Sequence, residues 1–517
     1  MGMSIRVDWV EKAERLTPAL HEQIVYPQRI VSIEKDEEAF QGWRVHSLEE
    51  AGALHEKSFG KGDSFTLDFG DHQVGYIALT VKATGSPPDA PLRLKLVFGE
   101  TPAEIAEEFE QYDGWLSRSW LQDEIVNIDV LPNKSELPRR YTFRYLKVTV
   151  IDSSRKYQAS FADIRLYNRF LRRDLSKVEP LPSSLPEDLR QMDRIAVRTL
   201  QNCMQTVFED GPKRDRRLWI GDLRLQALAN YVTFGHKELV KRCLDPFAGL
   251  PLVGGATGAC VFEKPEPHVD DTYFFDYSLF FRRRLPDYYV ATEDGDALRE
   301  LWPLAWEQVE LALLKVGDDG IVDDNAASAS FIDWHSSLDK QAAAQGVLIY
   351  CLKRTRRLAL VLGNKSTAAK LAEQIMQLSH SAVSRLYDEE KGLFVSGKER
   401  QISWASQVWL ALAEVLDQEG NRRLLDRLFA VSPDIRPNTP YMHHHLVDAL
   451  FAAGDHEKAI AHLRAYWGEM MKDGADTFWE VYSLEDKRLS PYGSHLVNSY
   501  CHAWSCTPTY FIRQYLI

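Results

Sequence analysis

The sequence has little cysteine. Six residues of 517 are Cys (Cys203, Cys243, Cys260, Cys351, Cys501, Cys506), and no two form a C-x-x-C pair. That excludes a disulfide scaffold. With no H-E-x-x-H stretch either, no metal site is expected. Long apolar runs are also missing: none approaches the ~18 residues of a membrane span. The stretch Met1 to Leu16 carries Asp8, Glu11 and Glu14 and has no apolar segment of the secretory kind. The expectation is a cytoplasmic protein with reduced thiols and no membrane contact. Positive charge is in deficit, with 62 Lys and Arg against 75 Asp and Glu, a formal net charge of −13. Nucleic acid is thereby excluded as the main partner, because it needs clustered positive charge.

What is present is the material of a large globular core, 45% hydrophobic and 26% charged. Length alone suggests about three domains at ~150 residues each, but the patterning shows two. Up to about residue 170 it is that of β-strands. Phe65, Leu67 and Phe69 alternate with polar residues, as do Leu92, Leu94 and Leu96. Further runs fall at 76–81, 125–130, 141–151 and 161–167, with turn clusters such as Gly85-Ser-Pro-Pro88 between runs. This predicts an N-terminal β-sandwich over 1–170. Pro180, Pro182 and Pro186 mark a linker over 171–185.

From 186 to 517 the apolar period becomes helical. Leu189, Met192, Ile195, Ala196, Leu200 and Cys203 share one face. Twelve segments follow this pattern, the last over 497–514. Very short connections (near Gly235, Gly363 and Gly454) alternate with mostly much longer ones. Six hairpins so joined predict an (α/α)6 barrel with its long loops on one rim. An open solenoid would need a sequence repeat, and none is present. Function belongs on the long-loop rim.

Four clusters of candidate residues fall on those loops. The first is Glu209-Asp-Gly-Pro-Lys-Arg-Asp-Arg-Arg-Leu-Trp-Ile-Gly-Asp222, in which any single carboxylate, Asp222 included, could be a helix cap. The second runs from Asp476-Thr-Phe-Trp-Glu480 to His502 and Trp504. Ile332-Asp-Trp-His335 and Val269-Asp-Asp-Thr-Tyr-Phe-Phe-Asp276 are the others, and either could serve as caps and core aromatics. With first and last hairpins adjacent, Asp222 and Glu480 face one pocket. Two carboxylates over an aromatic floor are the equipment of glycoside hydrolysis. The 13 Trp and 21 Tyr suit a sugar site equally.

These residues resemble the bacterial α-L-rhamnosidases of glycoside hydrolase family 78. That family's signature, roughly Asp-Cys-Pro-x-Arg-Asp-Glu-Arg-Leu-Gly-Trp-x-Gly-Asp, is similar to Asp210-Gly-Pro-Lys-Arg-Asp-Arg-Arg-Leu-Trp-Ile-Gly-Asp222. Its aromatic-Glu, Asp-Trp and Thr-Pro-Tyr elements resemble Thr477-Phe-Trp-Glu480, Asp333-Trp334 and Thr439-Pro-Tyr441. The resemblance implies an inverting exo-hydrolase that releases terminal α-L-rhamnose from rhamnose-containing glycosides without a cofactor. It implies Glu480 as general base. Substrate contacts then fall to Asp210, Arg214, Asp215, Trp219, Asp333, Trp334, Trp479 and His502. One departure stands out: Arg216 occupies the place of the family's Glu, and arginine cannot donate a proton. The acid is then expected to be Asp222, with Asp215 the alternative. Another sugar-active (α/α)6 enzyme, a lyase among them, and a non-catalytic sugar-binding homologue are the competing readings. Apolar surface not assigned to two domains leaves room for a homodimer.

Overall fold

A computed structural model describes residues 6–171, 178–252 and 254–517. Within the expected linker, residues 172–177 lie outside the described residues. The chain folds as an N-terminal β-rich domain followed by a helical domain.

After a first helix α1 (Val7–Arg15) come β1 (Leu20–Val25), β2 (Arg29–Lys35), β3 (Trp43–Glu50), β4 (Ser64–Gly85), β5 (Leu92–Gly99), a short helix α2 (Pro102–Ala106), β6 (Asp123–Ile128), β7 (Asn133–Glu136), β8 (Tyr141–Asp152) and β9 (Tyr157–Leu171). Strict alternation builds the core: Leu92, Leu94, Leu96 and Phe98 of β5 are fully buried, while Arg93 points outward. All nine strands join one hydrogen-bonded network. The long strand β4 makes this possible. Its first part pairs with β8, the register shifts between Asp68 and Gln73, and Gly75–Gly85 then pairs with β9. Glycine is required at 75, where a Cβ would sit 2.2 Å from the Tyr167 carbonyl oxygen.

The helical domain contains α3 (Glu187–Cys203), α4 (Ile220–Tyr231), α5 (Lys237–Gly249), α6 (Phe275–Thr292), α7 (Gly295–Leu313), α8 (Asp324–Ser328), α9 (Gln341–Val361), α10 (Lys365–Leu386), α11 (Trp404–Leu412), α12 (Gln418–Val431), α13 (Pro440–Ala452), α14 (His456–Lys472) and α15 (Pro508–Tyr515). Burial sorts them. Every residue of α11 is buried, as is the run Ala342–Leu352 of α9. Helices apolar all round belong inside, and one-sided ones such as α10, with Ala368, Leu371, Leu378 and Ala382 buried, belong outside. The inner helices contact in the order α4, α6, α9, α11, α13, and α15 returns to α3 and α4.

Two expectations change. Residues 7–15, counted with the β domain, form α1, which packs on α5 of the helical domain through Trp9 and Ala13. The helix expected over 497–514 is only α15. Before it the backbone is engaged by the loops: Glu480 N donates to Ser499 O (3.0 Å), His502 N to Phe478 O (2.9 Å) and Ala503 N to Asp210 O (2.7 Å). Pro508 then supplies a favourable first helical residue.

Candidate active site

Four long connections bring their residues to one cavity of about 100 Å³. The connection between α3 and α4 brings Asp210, Asp215 and Trp219, with Asp222 just inside α4. Phe274 and Tyr277 come from the start of α6, and Phe331 and Trp334 from the loop before α9. The segment between α14 and α15 adds Glu480, Tyr492, His502 and Trp504.

Glu480 is buried and firmly held. Its Oε2 accepts from Arg214 Nη2 at 2.5 Å and from the Ser499 amide at 2.9 Å. Its Oε1 accepts from the Tyr492 hydroxyl at 2.7 Å. Arg214 also donates from Nε to the Val497 carbonyl (3.1 Å) and from Nη1 to Asp215 Oδ1 (3.2 Å), and its guanidinium lies 4.1 Å over the Tyr492 ring. Arg214 therefore sits behind the cavity and positions two carboxylates.

In the signature loop Asp210 folds the backbone over itself, accepting from the amides of Asp215 and Arg217, each at 3.0 Å. Burial, and then the charge of Asp215, push the Asp210 carboxyl up to about 8. It therefore keeps its proton near neutrality. Arg216 turns away from the cavity. It takes a left-handed φ of 64°, and donates to the carbonyls of Lys213 (3.1 Å) and Arg140 (2.9 Å). Asp222 lies in the first turn of α4, which begins at Ile220, so it is not that helix's N-cap. His502 stands among the acids: Nδ1 is 3.7 Å from Asp222 Oδ1, and Nε2 is 3.9 Å from both Asp210 Oδ2 and Glu480 Oε1. Burial, helped by Arg214, lowers the His502 pKa well below its usual value, so the ring is neutral.

Seven sequence candidates thus line the cavity: Asp210, Asp215, Trp219, Asp222, Trp334, Glu480 and His502. Three do not. Arg214 lies behind. Asp333 accepts from the Trp334 amide (2.9 Å), the Asn438 amide (2.7 Å) and the Thr439 hydroxyl (2.7 Å), so it fixes the loop that presents Trp334. Trp479 packs on Phe40, with ring centroids 4.3 Å apart, and against Tyr482 and Tyr500. Glu480 faces the cavity while its neighbour Trp479 faces these rings instead. Sequence reasoning missed Tyr277, Phe331 and Tyr492, which stand outside any charged motif. Among the described residues no group of three or more His, Cys, Asp or Glu side chains is placed to hold a metal ion.

The β domain braces this loop. Lys213 is fully buried and reaches Glu104 Oε1 at 2.5 Å and the carbonyls of Leu496 (3.0 Å) and Asn498 (2.8 Å). Arg140 makes a two-pronged pair with Glu209, at 2.9 and 2.6 Å.

Comparisons with known proteins identify the family. Residues 27–168 match the glycosyl hydrolase family 78 α-rhamnosidase N-terminal domain. Residues 183–516 match the bacterial α-L-rhamnosidase six-hairpin glycosidase domain. A solved rhamnosidase from Klebsiella oxytoca with rhamnose bound is 48% identical, covers 100% of both chains and superposes with a TM-score of 0.97. A family 78 rhamnosidase of Bacillus sp. GL1 is 21% identical, over 92% of this chain and 50% of that one, with a TM-score of 0.74. The α-L-rhamnosidase of Streptomyces avermitilis, complexed with L-rhamnose, is 15% identical over 96% and 44%, with a TM-score of 0.65. The last two share the fold. Comparison with curated proteins gives no match.

Proposed function

Because this chain belongs to the family 78 α-L-rhamnosidases, and is thus a glycosidase, we propose that it removes terminal α-L-rhamnose with inversion, on an (α/α)6 barrel backed by a β-sandwich. The observation that carries this is Arg214, which joins Glu480 and Asp215 on one guanidinium. The two carboxylates are held apart by its width and two hydrogen bonds. That suits an inverting pair, which needs roughly 6.5–9.5 Å to admit water.

Glu480 is the general base. It takes a proton from water as the water oxygen bonds to the anomeric carbon. The glycosidic C–O bond breaks, and the acid gives its proton to the departing oxygen. We assign the acid to Asp215 rather than Asp222. The Asp222 side chain is 4% exposed and lies beside His502, whereas that of Asp215 is 20% exposed. Asp215 also lines a second groove outside the cavity, as the leaving-group side demands. The loop is one residue shorter than the family signature: counted forward from Asp210 the Glu position falls on Arg216, but counted back from Trp219-Ile-Gly-Asp222 it falls on Asp215. Asp222, Asp210 and neutral His502 then bind sugar hydroxyls, and the aromatic walls face the apolar side of a deoxy sugar.

Leaving-group chemistry tests the assignment. Asp215→Asn should lose about 10³-fold on a glycosyl rhamnoside and far less on a dinitrophenyl rhamnoside, which needs little protonation. Asp222→Asn should lose equally on both. The reverse pattern transfers the acid to Asp222. Proton NMR of the first product should show inverted rhamnose. A retained anomer would overturn the single-displacement route.

A further inference from the structure

Outside the sugar cavity, on the far side of Asp215, a groove runs between the two domains. It is lined by Tyr76 and Trp120 of the β domain and by Arg216, Arg217, Phe262 and Lys264 of the helical domain. Its own glutamates are already neutralised, Glu209 by Arg140 and Glu263 by Arg242 at 2.6 Å. Of its cations, Arg140 and Arg169 are paired, with Glu209 and Glu22, but three others are not. Arg216 donates only to backbone carbonyls. Arg217 lies 4.1 Å over the Phe262 ring, and Lys264 is exposed. Neither of these two has a carboxylate partner among the described residues. On a chain of net charge −13, three uncompensated cations in one groove form a local field opposite to that of the whole protein.

Asp215 borders both spaces, and it is the residue to which the acid role is assigned, so the groove begins where the leaving group would be protonated. We propose that the groove is the leaving-group subsite, and that it selects rhamnosides whose leaving group is an acidic sugar, its carboxylate held by Arg216, Arg217 and Lys264. Trp120 offers the face against which the sugar ring lies. The proposal rests on the rhamnosidase reading and adds the substrate class to it.

The test compares α-L-rhamnosyl-glucuronide with α-L-rhamnosyl-glucoside of the same linkage, and uses p-nitrophenyl α-L-rhamnoside as a control. The expected kcat/KM is about tenfold higher for the uronide, the size of a hydrogen bond to a charged group. This ratio should shrink as ionic strength rises. In Arg217→Gln it should fall toward one, and in Lys264→Glu, at an exposed position, below the wild-type value. Because it is a ratio on one enzyme sample, it is insensitive to the folded fraction. A wild-type ratio of one or less overturns the proposal, as does a ratio unchanged in both variants. If none of the three substrates releases rhamnose, the rhamnosidase reading itself falls.

Discussion

Tyr492 donates its hydroxyl proton to Oε1 of Glu480 across 2.7 Å. With Arg214 and the Ser499 amide on Oε2, the carboxylate is held at both oxygens. A base oriented this way loses little freedom on reaching the transition state. Tyr492→Phe keeps the ring beneath Arg214 and removes only the hydroxyl. Its kcat/KM on an aryl rhamnoside should fall about tenfold, with a nearly unchanged melting temperature. Wild-type kinetics in this variant would show that the bond does not matter to the base.

Arg214 has a heavier role, since it touches Glu480, Asp215 and the Val497 carbonyl at once. Arg214→Gln leaves the buried Glu480 carboxylate without its cation. Breaking a buried pair from one side costs about 3–5 kcal/mol. Calorimetry should show a lowered melting temperature, and turnover should drop by at least about a hundredfold. Arg214→Lys should not restore activity, because one ammonium cannot span three acceptors in these directions. Full rescue by lysine would reduce Arg214 to a point charge.

Lys213, next in the chain, is the corresponding tie between domains. It is fully buried, with Glu104 at 2.5 Å and Glu100 at 3.8 Å. Lys213→Met preserves the length of the side chain and strands the Glu104 carboxylate. The expected loss is again about 3–5 kcal/mol, read by chemical denaturation. The signature loop loses its brace as well, so KM for rhamnosides should rise. A variant as stable as wild type would show that the two domains do not depend on this pair.

The sequence was most informative where one face of an element is buried. Alternation in β5 and the period of α3 were legible because water on one side and core on the other enforce them. The signature loop was legible as a cluster of charges in a long connection, as were the loops bearing Trp334 and His502. The rest depends on tertiary contacts. Trp479 reads like a sugar platform beside a catalytic Glu, yet it packs on Phe40 of the β domain. Tyr492 carries no local signal, because its partner is 12 residues away through a loop without period. Residues 497–507 read as the first part of a helix from their apolar period. Only the partners on Glu480, Phe478 and Asp210 show why they are not.

Asp245 of α5 is an ionisable group away from the cavity, and it determines a pH dependence of stability. It is fully buried, and neither carboxyl oxygen accepts a hydrogen bond from a described residue. Burial pushes its pKa from the ordinary 3.8 up to about 7, against the pull of Lys241 and Lys12 and with a smaller push from Glu300 and Asp294. Between those values the folded chain holds a proton that the unfolded chain has released. Stability from this group is therefore full below the unfolded pKa and is lost as pH rises through about 7. Asp245→Asn, neutral at every pH, removes that loss. The variant should melt at nearly the wild-type temperature near pH 4 and a few degrees above it near pH 8, both read by scanning calorimetry at one scan rate. Equal melting temperatures at the higher pH would mean that the folded protein accommodates the charged carboxylate at no cost.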